Sequence, residues 1–154
     1  MDPIDRRILE ALQRDAGGTN QALAERVGLS PSACLARVKR LRESGAIEAV
    51  VALLDPEAAG ACLHVVVEVV MERDDRRLYR RFEERVRAAP EVKQCYVVTG
   101  DVDFVLIVAV ADMDAYDRFC TEVLYAEDNM RKFRTLLSRR RTKFDVSVPL
   151  ADAD

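Results

Sequence analysis

The stretch Leu29-Ser-Pro-Ser-Ala-Cys-Leu-Ala-Arg-Val-Lys-Arg-Leu-Arg-Glu-Ser-Gly45 leaves the chain little freedom, because it reads as a turn feeding a capped helix. Ser30 offers an oxygen to the open N–H groups of a first turn, Pro31 stands where its missing N–H costs nothing, and Gly45 supplies a left-handed stop. The spacing predicts a helix from about Pro31 to Ser44, with Leu35, Val38 and Leu41 inward and Ser32, Ala33, Ala36, Arg37 and Arg40 outward. Two further helices precede it. Asp2-Pro3 opens the first, with Ile8, Leu9 and Leu12 on one face and an end near Gly17-Gly18. Asn20 caps the second, whose Leu23, Ala24 and Val27 form the inner stripe before Gly28. A short helix, a glycine turn and a longer helix with outward arginines form a helix-turn-helix. The following Ile47–Leu54 reads as a strand and as the wing of a winged variant.

Charge turns that architecture toward function. From Arg26 to Arg42 every charged residue is basic (Arg26, Arg37, Lys39, Arg40, Arg42), although the whole chain carries −3. A local reversal of sign is the electrostatic footprint of a nucleic-acid surface, here double-stranded DNA, with Ser30, Ser32, Ala33, Arg37 and Arg40 as contact residues. The plainer reading is a three-helix domain with a solvated charged face. The acidic total excludes indiscriminate coating of nucleic acid, so binding through a local patch is expected to be specific and salt-sensitive. No run approaches the roughly 18 apolar residues of a membrane span, and the N-terminus reads as a charged helix rather than a signal peptide. The expectation is a cytoplasmic protein with no membrane partner. Cys34, Cys62, Cys95 and Cys120 show no C-x-x-C spacing and His64 is the one imidazole, so neither a metal site nor a disulfide framework is expected. All four cysteines read as buried small hydrophobes. With no nucleophile–base pair in view, no catalytic residue and no cofactor are assigned.

Turn formers and acids at Leu54-Asp-Pro-Glu-Ala-Ala-Gly60 mark a boundary. The expected division is a helix-turn-helix domain over 1–50, a linker strand or hinge over 51–60 and a second domain over 61–150. In that second domain Ala61–Glu72 alternates as a strand with Leu63, Val65, Val67, Val69 and Met71 on one face. Arg76–Ala88 follows as a helix with Leu78, Tyr79, Phe82 and Val86 inward. Val92–Thr99 and Asp103–Val110 are strands joined at Gly100-Asp101-Val102, and Asp112 caps a helix bearing Tyr116, Phe119, Cys120, Val123 and Leu124. Arg134–Leu137 and Phe144–Val148 supply final strand material. The fold class is α+β: a winged helix-turn-helix followed by a ferredoxin-like βαββαβ unit with its helices on one sheet face. Phe104–Val110 is apolar on both faces, which implies burial against a second subunit and at least a dimer.

Asp5-Arg6-x-Ile8-Leu9, Leu29-Ser-Pro-Ser-x-Cys34-x-x-Arg37-Val38-x-x-Leu41, Gly45-x-Ile47, Val98-Thr-Gly100-Asp101-Val-Asp103-Phe, Asp112-Met-x-x-Tyr116, Thr135 and Lys143 together resemble the Lrp/AsnC family of bacterial and archaeal transcriptional regulators over nearly the whole chain. The resemblance implies a DNA-binding head, an amino-acid-sensing effector (RAM) domain, dimers that assemble further into octamers or related rings, and control of amino-acid metabolism or transport. On residues alone Gly100-Asp101 simply makes a turn. The resemblance makes it an effector pocket, in which Gly100 lets backbone N–H groups approach a carboxylate and Asp101 or Asp103 accepts from an ammonium. By the same resemblance Thr99, Phe133 and Thr135 are pocket walls. One departure is the acid-free run Arg131, Lys132, Arg134, Arg139, Arg140, Arg141 and Lys143, read either as a DNA-holding surface or as a charged, solvated edge strand. The alternative function is that of siroheme decarboxylases, which resemble the same two-domain architecture and would need basic side chains and histidine around a tetrapyrrole.

Overall fold

The computed structural model describes residues 1–55, 60 and 62–150, and part of the expected hinge lies outside these. They form two compact units, one of residues 1–53 with the chain from Lys143 onward and one of residues 54–142. The second unit therefore closes at Thr142 rather than at the expected residue 150.

In the first unit α1 (Pro3–Arg14), α2 (Asn20–Val27) and α3 (Pro31–Glu43) surround Ile8, Leu9, Ala11, Ala24, Val27, Cys34, Val38 and Leu41. Asp2 caps α1 by accepting from the N–H groups of Ile4 and Asp5 at 2.9 and 2.8 Å. Thr19, not Asn20, caps α2, accepting from Ala22 N at 3.2 Å. The Asn20 amide instead donates to the Pro31 carbonyl at 2.7 Å and ties the start of α2 to the start of α3. Gly28, at φ +74°, closes α2 in the left-handed region and turns the chain into α3. The inner face of α3 is Cys34, Val38 and Leu41, and Leu35 is 60% exposed, against the expectation that it points inward. Positions 34, 38 and 41 follow the i, i+4, i+7 repeat, and a leucine one residue off it lands on the other face.

The expected strand over Ile47–Leu54 does not form. Ile47 packs on the helices, whereas Val50, Val51, Leu53 and Leu54 are more than half exposed in a segment without regular structure. A strand needs a hydrogen-bonded partner, and among the described residues this segment joins no ladder, although Val146 and Val148 line a cavity with Ile47–Leu53. Phe144–Val148 is likewise not a strand. It lies in the first unit, where Val148 N donates to the Gln13 amide oxygen at 2.6 Å and Leu150 packs on the helical core.

The second unit is a four-stranded antiparallel sheet, in the order β2-β3-β1-β4, with helices over one face. Its elements are β1 (Leu63–Met71), α4 (Arg76–Ala88), β2 (Val92–Val97), β3 (Phe104–Val110), α5 (Met113–Phe119) and β4 (Met130–Leu137). A π turn over Cys120–Leu124 extends α5. Alternation along β1 and β3 sends Val65, Val67, Val69, Met71, Phe104, Leu106, Val108 and Val110 into the core with Phe82, Val86, Phe119 and Leu124. Phe104 is fully buried, with its ring 4.9 Å from that of Phe82 and 5.1 Å from that of Tyr79. Burying a side chain of this size contributes about 1.5–3 kcal/mol, which makes this stack a principal anchor of α4 on the sheet. The opposite sheet face carries Val66, Val70, Val105 and Ile107, all partly exposed, so β3 is apolar on both sides as its sequence requires. Cys34 and Cys120 are buried, but Cys62 and Cys95 are exposed free thiols, against the expectation that all four are buried. No helix of the described residues is long and apolar enough to cross a membrane.

Candidate nucleic-acid interface and effector site

On α3 the structure divides the five expected contact residues. Ser30 is occupied as the cap, accepting from Ala33 N at 3.3 Å, and its hydroxyl lies 3.3 Å from that of Ser32. Ser32 is exposed and Ala33 half-buried. Arg37 does not point freely outward. Its guanidinium donates to Asp2 and to Asp5, the latter at 2.8 Å. Arg40 spans both oxygens of Asp5 with one nitrogen, at 2.9 and 2.8 Å, while its side chain stays 60% exposed. Asp5 is only 4% exposed, so its carboxylate is desolvated and held by two guanidinium groups. The Arg37 hydrogen bond holds the Asp2 carboxyl at about 2, well under the ordinary aspartate value, and the same pair pushes the Arg37 guanidinium up. Further along, Lys39 reaches Glu43 at 3.8 Å, and on α2 Arg26 reaches Asp15 at 3.9 Å. The basic run of the sequence is thus largely answered in space by carboxylates that the sequence places elsewhere. Exposed on α3 are Pro31, Ser32, Leu35, Ala36, Lys39, Arg40, Arg42 and Glu43.

The loop between β2 and β3 is the second candidate. Gly100 adopts φ +139°, a conformation that a side chain resists, and so sets the bend. Asp103 is internal to the fold: one carboxylate oxygen accepts from Met71 N at 2.7 Å and the other from the Tyr79 hydroxyl at 2.5 Å. Its backbone N–H donates to Val69 O at 2.9 Å and its carbonyl accepts from Val98 N at 3.0 Å. Burial first, and then this bond to Asp103, pushes the Tyr79 hydroxyl up to about 12. Asp103 is therefore a clamp and not an open acceptor for an ammonium. Asp101, by contrast, is exposed and borders a groove of about 440 Å³ with Glu68, Val70, Val102, Lys132, Phe133 and Arg134. Glu68 is taken by Arg134, at 2.7 and 2.6 Å. The groove presents the Asp101 carboxylate, the Lys132 cation and apolar walls from Val70, Val102 and Phe133.

The remaining expected wall residues fall outside it. Thr99 is exposed on the loop, away from the groove lining. The Thr135 hydroxyl lies 2.6 Å from the Tyr116 hydroxyl on the helix-covered side, because Thr135 pairs with Val67 and shares its face. Lys132 and Val70 are additions that the sequence reading lacks. Their signal is register: Val70 pairs with Lys132 and Glu68 with Arg134, which places four residues on the open face beside Asp101.

Residues 64–148 match the Lrp/AsnC ligand-binding domain and residues 1–48 a winged helix-turn-helix DNA-binding domain. The leucine-responsive regulatory protein of Escherichia coli K12 is 38% identical over 143 residues, covering 93% of this chain and 87% of that protein. An AsnC family transcriptional regulator from Agrobacterium tumefaciens superposes with a TM-score of 0.86 at 35% identity, covering 97% of each chain. A transcriptional regulator from Neisseria meningitidis, solved as a complex with L-Met, superposes with a TM-score of 0.85 at 33% identity, covering 97% of this chain and 96% of that one. A helix-turn-helix head, an antiparallel ferredoxin-like unit and these matches over both lead to one conclusion: the chain belongs to the Lrp/AsnC family of DNA-binding transcriptional regulators.

Proposed function

We propose that this regulator responds to a free amino acid or a closely related metabolite held in the groove beside Asp101, and that it controls genes of amino-acid metabolism or transport. The observation that carries the reading is the chemistry of that groove. An α-amino acid needs a carboxylate for its ammonium, a cation for its carboxylate and a dry wall for its side chain, and Asp101, Lys132 and the Val70–Val102–Phe133 surface offer the three together. That a structural relative is a complex with L-Met supports the ligand class. On the head, the proposed duplex contacts are Ser32 and the outer edge of Arg40, and the proposed role of Arg37, bound to Asp2 and Asp5, is to hold α3 against the start of α1.

Self-association belongs to the same proposal. The open sheet face with Val66, Val105 and Ile107, and the exposed Val50, Val51, Leu53 and Leu54, are surfaces that a dimer covers, and pairing the heads gives two half-sites. Octamers are the proposed higher assembly, and the cytoplasm is the proposed location. The relatives are named as regulators, which supports a non-enzymatic role over the tetrapyrrole alternative.

The test is a titration of the purified protein against its own upstream DNA, with and without a panel of amino acids, alongside size measurement. Selective binding that one amino acid shifts, with loss of the shift in Asp101→Ala, supports the reading. Binding that no amino acid alters, or an unchanged response in Asp101→Ala, refutes the placement of the effector. A coloured protein that retains tetrapyrrole and binds no DNA reverses the assignment.

A further inference from the structure

The helix-turn-helix head carries little net positive charge. Residues 1–53 carry 8 Lys/Arg against 7 Asp/Glu, which is nearly neutral. Three of those acids lie against the recognition helix: Asp2 and Asp5 bind Arg37 and Arg40, and Glu43 approaches Lys39. Residues 54–130 repel a polyanion, with 9 basic against 17 acidic side chains. The run 131–143 then places 7 Lys/Arg in 13 residues with no acid of its own, of which Arg134 is bonded to Glu68 and Arg141 also has a partner.

The structure spreads these cations over an exposed edge. Lys132 and Arg131 stand exposed on β4, which closes one side of the sheet, and Arg139 and Arg140 continue beyond the strand end. Ser138 N donates to His64 O at 2.9 Å and fixes the start of that extension against β1. Arg139 and Arg140 then border a cavity of about 330 Å³ with His64, Ser138, Cys62 and Asp55. Edge protection does not account for the pattern. One or two charges blunt a strand edge, whereas Arg139 and Arg140 lie where no ladder remains to be protected. At about 3.3 Å per residue β4 carries the run along roughly 20 Å from Arg131 to Leu137, the length of about six base pairs, before the chain bends at Arg139.

We propose that the run 131–143, distant in sequence from the recognition helix and carried for the most part by the sheet unit, is a second DNA-backbone contact that adds to the salt-dependent affinity of this regulator. It rests on the DNA-binding reading and divides the labour within it: the head reads bases, and the run binds phosphates of any sequence.

The experiment compares the full-length chain with its Arg139→Gln/Arg140→Gln variant by fluorescence anisotropy. The probes are the upstream duplex, a scrambled duplex of equal length and a duplex RNA, over about 50–200 mM salt. Each lost phosphate contact removes roughly 0.9 from the slope of log K against log salt, so the pair removes about 1.8. Affinity for both DNA duplexes falls by the same factor, roughly 10- to 60-fold near 0.1 M, with their ratio unchanged. Arg139→Lys/Arg140→Lys retains the wild-type slope, and Arg131→Gln, a single exposed change outside the effector groove, lowers it by about 0.9 should the double variant misfold. An unchanged slope in the Gln variants overturns the proposal while leaving the regulator reading intact. So does a loss confined to the specific duplex, tighter binding of the RNA, or a change in oligomer size with no change in slope. A wild-type chain that binds no DNA removes the regulator reading, and this proposal with it.

Discussion

Asp103→Ala is expected to unfold the sheet unit more readily, and Asp101→Ala, two residues away, is expected to leave stability untouched. In Asp103→Ala two donors lose a charged acceptor: the backbone N–H of the buried Met71 at 2.7 Å and the Tyr79 hydroxyl at 2.5 Å. A hydrogen bond to a charged group contributes about 1.5–3 kcal/mol, and the Tyr79 hydroxyl, being half-buried, recovers part of its loss from water. The expected cost is therefore about 3 kcal/mol. With a urea m-value of roughly 1.5–2 kcal/mol/M, the midpoint falls by about 1.5–2 M. Tyr79→Phe removes one of the two bonds and costs about 1 kcal/mol. Combining the two changes costs less than their sum, because the shared bond is lost only once. Asp101 makes no such bond and lies exposed at the groove, so Asp101→Ala stays within about 0.5 kcal/mol of the parent. Its loss appears instead in ligand-induced stabilisation, which in the parent amounts to about 2.7 kcal/mol at a hundredfold excess over Kd. Urea titrations with and without the amino acid that shifts DNA binding read both quantities. A parent-like midpoint for Asp103→Ala, or equal destabilisation by Asp101→Ala, refutes the division of the two carboxylates into clamp and ligand group.

Four further outcomes are expected. Phe104→Ala, which empties the centre of the Tyr79–Phe104–Phe82 stack, costs about 3–5 kcal/mol and leaves little folded sheet unit by circular dichroism. Leu35→Ala changes stability by less than about 0.5 kcal/mol because Leu35 faces solvent, whereas Cys34→Ser buries a hydroxyl in the helical core and lowers the melting temperature. On the alkaline side, Tyr79 keeps its proton in the fold up to about 12, while an unfolded tyrosine loses it near 10. Its stabilising contribution is thus complete below pH 10 and declines as the pH rises toward 12, and ultraviolet titration detects it as one of two late phenols, the other being the buried Tyr116, with Tyr79→Phe removing only its own share. On the acid side, Asp2 is held at about 2, so its contribution is complete above the ordinary carboxyl range and disappears as the pH falls toward 2, a loss that Asp2→Asn makes independent of pH.

The fold was more legible than the site because the two depend on different distances along the chain. The alternation in Leu63–Met71 and the short apolar run Phe104–Val110 are local signals of strands, and in both the structure buries alternate residues. The charge state of the recognition helix is not local. Arg37 and Arg40 lie 32 to 35 residues from the carboxylates that bind them, so a window over Arg26–Arg42 reads a positive patch that the folded head largely cancels. Asp103 misleads for a similar reason: its partners Met71 and Tyr79 precede it by 32 and 24 residues, and nothing in Gly-Asp-Val-Asp separates an internal carboxylate from an open one. The segments over Ile47–Leu54 and Phe144–Val148 show a third kind of gap. The apolar run of the first and the alternation of the second are real, but a strand also needs a hydrogen-bonded neighbour, which no local pattern encodes.

The loop from Val98 to Asp103 shows how these long-range contacts serve recognition. Its two ends are closed by the bond from Val98 N to Asp103 O, and the Asp103 side chain pins that closure to β1 through Met71 and to α4 through Tyr79. Gly100, at φ +139°, bends the chain between the pinned ends, so that Asp101 and Val102 project over the open face toward Val70 and Lys132. A carboxylate on a free loop would lose several degrees of freedom on meeting a ligand. Asp101 is carried by a bend fixed two residues away and loses fewer, which raises affinity without adding a contact. The carboxylate that binds nothing outside the fold is therefore part of the binding apparatus, because it holds in place the one that does.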